Sequence, residues 1–129
     1  MKLHTTQTAS YPALVEVPCA AGTEYKIGMA LNVTAGAAAL ASGTTVPTHI
    51  CFAKKTGVEG ETVQAIRVLK GETFEAPLPA DGAALKIGDK VTIAADGIGV
   101  TATTTSGIAQ IVGFMTEAKA AGDGVLVKF

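Results

Sequence analysis

The alternation of apolar and polar residues after position 85 most constrains what this chain can fold into. In residues 85–93 the apolar side chains occupy odd positions only: Leu85, Ile87, Val91 and Ile93. Side chains on a strand point alternately to opposite faces, so this spacing predicts a strand with one face in the core. Asp96-Gly97 follows, and Asp-Gly between two alternating runs predicts a hairpin with a type I′ turn.

Three more strands are predicted before the last residue. Residues 99–103 form the return strand of the hairpin, with Val100 and Ala102 facing the core. Residues 108–115 are apolar on both faces, which is typical of a central, covered strand. A turn rich in glycine and aspartate then leads into a closing strand at 125–129.

The same pattern occurs about half the chain earlier. Tyr25-Lys26-Ile27-Gly28 precedes an apolar alternation as Leu85-Lys86-Ile87-Gly88 does, at an offset of 60 residues. Apolar strands at 47–53 and 62–70 then match the later ones. A duplicated unit and a repeated requirement for the same turn chemistry both explain the pattern. Either explanation predicts an all-β fold of two similar units that close one core between them.

The first 21 residues are expected to differ from the single β domain at 22–129. Residues 1–10 are polar and threonine-rich without a period, which predicts a mobile arm. Residues 11–18 are extended by their prolines and carry apolar side chains with nothing local to bury them. Two interpretations stay open: an edge strand that lies on the domain, or an arm that orders only on a partner.

The segment that joins the two units is predicted to run along a sheet edge or outside the sheet. Pro77 and Pro79 cannot donate ladder hydrogen bonds, so residues 71–82 do not suit the centre of a sheet. The segment also carries Phe74 and Leu78, which require burial. We therefore do not interpret it as a linker between domains.

Composition excludes several classes of function. Charged residues are 16% of the 129 and the formal net charge is −1, so there is no basic excess to bind nucleic acid. The longest weakly polar run, residues 35–41, is far shorter than the roughly 18 residues of a membrane span. No apolar signal region follows Lys2, so synthesis in the cytosol is expected.

No catalytic, cofactor-binding or metal-ligating constellation is recognisable. His49 and Cys51 share a strand face, but a zinc site needs three or four ligands, and His4 and Cys19 are the remaining His and Cys residues. Both cysteines are expected to be reduced. No serine lies in a nucleophile elbow, and no glycine-rich phosphate loop is present. The sequence predicts a protein that acts through broad, weakly charged contact surfaces and not as an enzyme.

Several stretches resemble the head-decoration (capsid cement) proteins of tailed bacteriophages. They are Tyr25-Lys26-Ile27-Gly28-Met29, residues 85–91, residues 107–114 and residues 125–129. The resemblance implies a small β-barrel or β-tulip body. It further implies a homo-oligomer, with a trimer favoured, that binds the major capsid protein outside an expanded shell and cements neighbouring subunits. The implied location is the capsid exterior of the virion, and the host cytoplasm during assembly.

The resemblance also implies a capsid-binding arm near the N-terminus. Members of this type often pair an N-terminal segment with a capsid strand, which here falls on Thr5, Thr6, Thr8, Tyr11, Leu14, Val15 and Val17. Two alternatives remain for the function as a whole. One is another virion part, such as a tail or connector subunit. The other is a module that binds carbohydrate or a host surface, against which the absence of Trp argues.

Overall fold

The computed structural model describes residues 1–5 and 13–129, and every regular element in them is a β-strand. The strands are β1 (Lys2–Thr5), β2 (Leu14–Pro18), β3 (Glu24–Tyr25), β4 (Ala30–Thr34), β5 (Ala37–Leu40), β6 (His49–Cys51), β7 (Lys55–Thr56), β8 (Thr62–Arg67), β9 (Thr73–Pro77), β10 (Lys90–Ile93), β11 (Val100–Thr103), β12 (Ala109–Phe114) and β13 (Gly124–Lys128). The predicted all-β class is confirmed. These residues include no helix of the length and apolarity that crossing a membrane requires.

Two antiparallel sheets make up most of the fold. One has the order β1-β9-β13-β12-β10-β11 and the other β2-β8-β6-β4-β5, while β3 and β7 form a separate pair. Each order ends in two different strands, so neither sheet closes on itself among the described residues. The outer strands of the five-stranded sheet approach each other at an isolated bridge between Cys19 and Ala38. The Tyr25 hydroxyl strengthens this approach: it accepts from the Ala20 N–H at 2.8 Å and donates to the Ala38 C=O at 2.7 Å.

The prediction of two similar units is confirmed. The order β2-β8-β6-β4-β5, the first unit, recurs as β9-β13-β12-β10-β11, the second unit. Equivalent strands begin 59 to 63 residues apart, from 14 and 73 for β2 and β9 to 37 and 100 for β5 and β11. Shared turn chemistry alone does not reproduce the pairing order of five strands, so the structure favours a duplicated unit.

Equivalent backbone hydrogen bonds repeat at the same offset. The N–H of Gly28 donates to the C=O of Cys51 at 2.8 Å, and the N–H of Gly88 donates to the C=O of Ile111 at the same distance. These bonds tie the turn before β4 to β6 and the turn before β10 to β12. The two units therefore share local geometry as well as topology.

The buried side chains form two clusters instead of the single core that we predicted. The larger cluster is built mainly from the second unit and includes Ala30, Ala41 and Ile50 of the first unit. The smaller cluster consists of Val17, Cys19, Tyr25, Met29, Leu31, Ala38, Cys51, Val63 and Ala65. The alternation of apolar residues predicts which side chains are buried, but it does not predict in which cluster they pack.

The strand predicted at 85–93 begins only at Lys90. Residues 86–89 form a turn, in which the Asp89 N–H donates to the Lys86 C=O at 3.1 Å and the Asp89 carboxylate accepts from the Lys86 N–H at 2.9 Å. Ile87 was predicted to face the core and instead projects into solvent. The apolar and polar residues continue to alternate with the period of a strand through residues 86–89, although these residues form a turn.

The hairpin after β10 is present, but its turn is longer than a type I′ turn. The Ala94 N–H donates to the Gly99 C=O at 2.9 Å and closes a loop between β10 and β11. Gly97 adopts a φ of 73°. The Asp96 carboxylate accepts from the Ile98 N–H at 2.8 Å, which favours this wider loop.

Two predictions of buried faces in the second unit are wrong. Ala102 was expected to face the core and is exposed on the edge strand β11. β12 was expected to be covered on both faces, yet Val112 is partly exposed. A central place in the strand order covers both edges of a strand and leaves one of its faces open.

Residues 1–5 differ from the mobile arm that we expected at 1–10. β1 pairs antiparallel with β9, and Met1 and Leu3 are buried in the larger cluster. The amino group of Met1 donates to the Gly28 C=O. Two apolar residues at alternate positions are too weak a signal to identify a strand from sequence. β9 itself lies between β1 and β13, so the predicted edge segment is covered by the start of the chain.

Candidate functional site

The structure separates the residues that were predicted to form a capsid-binding arm. Thr5 ends β1, where its backbone pairs with Thr73. Thr6, Thr8 and Tyr11 lie outside the described residues. The other three belong to β2, which pairs with β8 along its whole length. Leu14 is exposed, Val15 is half-buried and Val17 is buried in the smaller cluster.

Backbone hydrogen bonds show which groups of β2 and β9 face away from their sheets. The Cys19 N–H donates to the Glu61 C=O at 2.9 Å, and in the second unit the Leu78 N–H donates to the Asp123 C=O at 3.0 Å. These residues directly follow β2 and β9, and backbone groups alternate between the two sides of an antiparallel strand. The backbone N–H and C=O groups at the even positions of β2 and at the odd positions of β9 therefore point away from the neighbouring strands β8 and β13.

In the second unit a strand occupies this outward side. Lys2 of β1 lies opposite Glu75 of β9, and the Nζ and Oε2 atoms of the two residues are 3.1 Å apart. In the first unit β2 ends its sheet, and no strand within 1–5 and 13–129 pairs with the outer side of residues 14–16. Leu14 is accordingly 46% exposed, whereas its counterpart Thr73 is 8% exposed. We call residues 14–16 the open β2 edge.

The titratable groups do not assemble a reactive centre in the described part of the chain. His49 lies beside Thr48, with the Nδ1 and Oγ1 atoms 2.9 Å apart, and its pKa is lowered by burial and by the charge of Arg67. Burial raises the pKa of the Cys51 thiol. Cys19 and Cys51 are both free and buried. No three His, Cys, Asp or Glu side chains among the described residues lie close enough together to hold a metal ion.

A shallow depression lies where the two units meet. Its volume is about 250 Å³, and it is lined by Met1, Lys2, Ile27, Gly28, Glu75, Pro77, Gly122 and Gly124. The Glu75 carboxylate in it is paired with Lys2, and burial lowers the pKa of the Met1 amino group to about 6. The lining contains no serine, threonine, cysteine, tyrosine or histidine side chain.

Comparison with protein-family models identifies a family for most of the chain. A family model described as phage cement protein matches residues 17–129. The matched stretch begins inside β2 and includes both β units up to the end of the chain. A search of curated proteins found no match.

Proposed function

Since this chain belongs to the phage cement protein family, we propose that it binds the outside of an expanded phage capsid and cements neighbouring major capsid subunits. The family consists of structural proteins that stabilise capsids. The observation that carries the proposal is the family match, which extends over both β units. The low charge of the chain agrees with it, because the centres of protein interfaces are depleted in charged residues.

The open β2 edge supplies a route for this binding. An unpaired strand edge presents N–H and C=O groups to which an extended segment of a partner can add as a further strand. The place of β1 on β9 shows how such a strand fits on the equivalent edge. Glu16 corresponds to Glu75, so a basic residue of the partner strand is expected opposite it, as Lys2 is opposite Glu75.

The residues of the predicted capsid-binding arm have different parts in this proposal. Leu14 and Val15 offer side-chain contact at the open edge, while Val17 supports the strand from the smaller cluster. Thr6, Thr8 and Tyr11 lie outside the described residues and are included by their position in the sequence. Thr5 is included through its position at the end of β1.

We further propose that the protein acts as a homotrimer. Several weak contacts made by one oligomer combine into a much higher overall affinity when the partner sites are fixed in space. A shell satisfies this condition and a free capsid subunit does not. Binding to expanded capsids and little affinity for isolated subunits are therefore expected.

Co-sedimentation tests the proposal. Purified protein is mixed with expanded capsids that lack it, and in parallel with isolated capsid subunits. We expect it to pellet with the capsids at saturable stoichiometry and to leave the subunits unbound. Protein that remains in the supernatant with expanded capsids would contradict the proposed function. Assembly into rings or tubes without any shell would favour a tail or connector subunit instead.

A proline substitution tests the open β2 edge separately. Glu16→Pro removes an outward N–H but leaves the inward ladder with β8 intact, so the body should stay folded. Glu16→Thr keeps the N–H and serves as the matched control. We expect the proline variant to bind capsids at least about tenfold more weakly than the threonine variant. Equal binding by the two variants would show that no strand adds at residue 16.

A further inference from the structure

The two most exposed large apolar side chains in the described residues occupy equivalent positions in the two units. Ile27 is 66% exposed and Ile87 is 68% exposed, while the next most exposed, Val46, is at 57%. Ile27 and Ile87 are 60 positions apart, which is the offset of the equivalent hydrogen bonds between the units. A single exposed apolar residue needs no explanation. An exposed apolar residue that recurs at the equivalent position of both units does need an explanation.

The same turn displays both isoleucines. In each turn the N–H of the fourth residue, Met29 or Asp89, donates to the C=O of the lysine at the first position at 3.1 Å. The third residue is glycine, with a φ of 85° at Gly28 and 98° at Gly88, as a type II turn requires. The isoleucine stands at the second position and points outward.

Neither turn gains from an isoleucine. The second position of a type II turn favours proline, and a β-branched side chain left in solvent buries little surface there. Burial against a partner would give the side chain the apolar contact that folding does not. We therefore look to binding for the reason that both turns present this residue.

The strand residue that accepts from each turn glycine is followed by a second exposed apolar residue, again at equivalent positions. Phe52 follows Cys51, and Val112 follows Ile111, the two residues whose carbonyls accept from the turn glycines. Both side chains are exposed, Phe52 more than Val112. We call Ile27 with Phe52, and Ile87 with Val112, the twin patches.

A lysine borders each patch. Lys26 and Lys86 open the two turns and are both exposed. In the second turn the Asp89 carboxylate accepts from the Lys86 backbone N–H at 2.9 Å, and the Lys86 side chain is exposed. The twin patches thus combine an aliphatic knob with a positive charge beside it. The complementary surface is an apolar hollow with a carboxylate at its rim.

We propose that the twin patches dock on two copies of one such hollow, carried by neighbouring subunits of the shell. This inference rests on the proposed function. A shell built from repeated subunits presents the same hollow many times, and a duplicated unit offers two equivalent knobs to it. One chain thereby bridges two subunits, and the two contacts reinforce each other because they are linked.

Serine substitutions test the twin patches. Ile27→Ser and Ile87→Ser are measured singly and together by co-sedimentation with expanded capsids that lack the protein. Each single change should weaken binding about tenfold, and the double change about a hundredfold or more. Val58→Ser is the matched control, because Val58 is exposed but its counterpart, Ala120, is not a large apolar residue. The control should bind within about twofold of the unsubstituted chain.

The outcomes separate this inference from the proposed function. A comparable loss from both isoleucine variants, with unchanged melting temperatures, supports two equivalent docking sites. Loss from only one variant, or from neither, overturns the twin patches while the proposed function stands. Unsubstituted protein that fails to bind overturns the proposed function and this inference with it. Lys26→Gln combined with Lys86→Gln should make binding less sensitive to salt, and an unchanged salt dependence would contradict the carboxylate at the rim.

Discussion

The duplicated turns provide a matched pair of glycine substitutions that tests how the start of the chain is held. Gly28 and Gly88 occupy equivalent turns, and both have positive φ. A Cβ on Gly28 would lie 2.5 Å from the backbone nitrogen of Met1 and 2.9 Å from its oxygen, whereas a Cβ on Gly88 would meet nothing within 4 Å. Alanine therefore introduces the same backbone strain at both positions, but only alanine at position 28 also clashes with Met1.

The structure sets the size of the two effects. Alanine at positive φ costs about 1–2 kcal/mol, and this should be the whole effect of Gly88→Ala on the free energy of unfolding. Gly28→Ala must also displace Met1, and with it the buried Leu3. Burial of two such side chains contributes about 3–6 kcal/mol, which the ordering of the β1 backbone partly offsets. We expect a total cost of about 2–5 kcal/mol for Gly28→Ala.

Urea unfolding of both variants gives the comparison by linear extrapolation. Deletion of residues 2–5 then completes the cycle, because without β1 the two alanine variants should cost the same. An equal cost of the two substitutions in the full-length chain would refute the packing of β1 against the Gly28 turn. So would a Gly28 penalty that survives the deletion.

Three further outcomes follow from the described contacts. Tyr25→Phe should lower the free energy of unfolding by about 1–3 kcal/mol in urea titrations, because the buried hydroxyl bridges two backbone groups that would lose their partner. Burial and Arg67 lower the pKa of His49, so its contribution to stability is present above the unfolded value of about 6.5 and is lost as the pH falls below it. The melting temperature of the His49→Gln variant should therefore fall less between pH 7 and pH 5 than that of the unsubstituted chain. The buried thiols of Cys19 and Cys51 should react with a maleimide only after unfolding, and rapid native labelling would contradict their burial.

Sequence periodicity predicted the elements that are determined by residues close together in the chain. Strands β10 to β13 and the hairpin at Asp96-Gly97 follow from alternation and turn chemistry within a few residues. The turn type did not follow, because the Asp96 carboxylate hydrogen-bonds the next backbone N–H groups and favours a wider loop. The repeat at an offset of 60 was visible in the sequence, and only the strand order showed that it is a duplicated unit.

The parts that sequence missed depend on contacts distant in the chain. β1 is held by β9 and by the Gly28 turn, and neither is visible in the Thr-rich start of the sequence. Ile87 kept the strand period and was placed in the core, although the glycine after it turns the chain and exposes it. Composition indicated broad contact surfaces. The open β2 edge became visible only when the outward side of β9 was found to be occupied.

The thermal stability of filled capsids tests the central claim most directly. Phage particles produced without this protein are compared with the same particles after saturation with it, and the temperature at which they release DNA is recorded. A cement protein should raise that temperature, and particles to which the protein is restored should match those assembled with it. Release at one temperature with and without bound protein would contradict the claim that this β fold stabilises the shell.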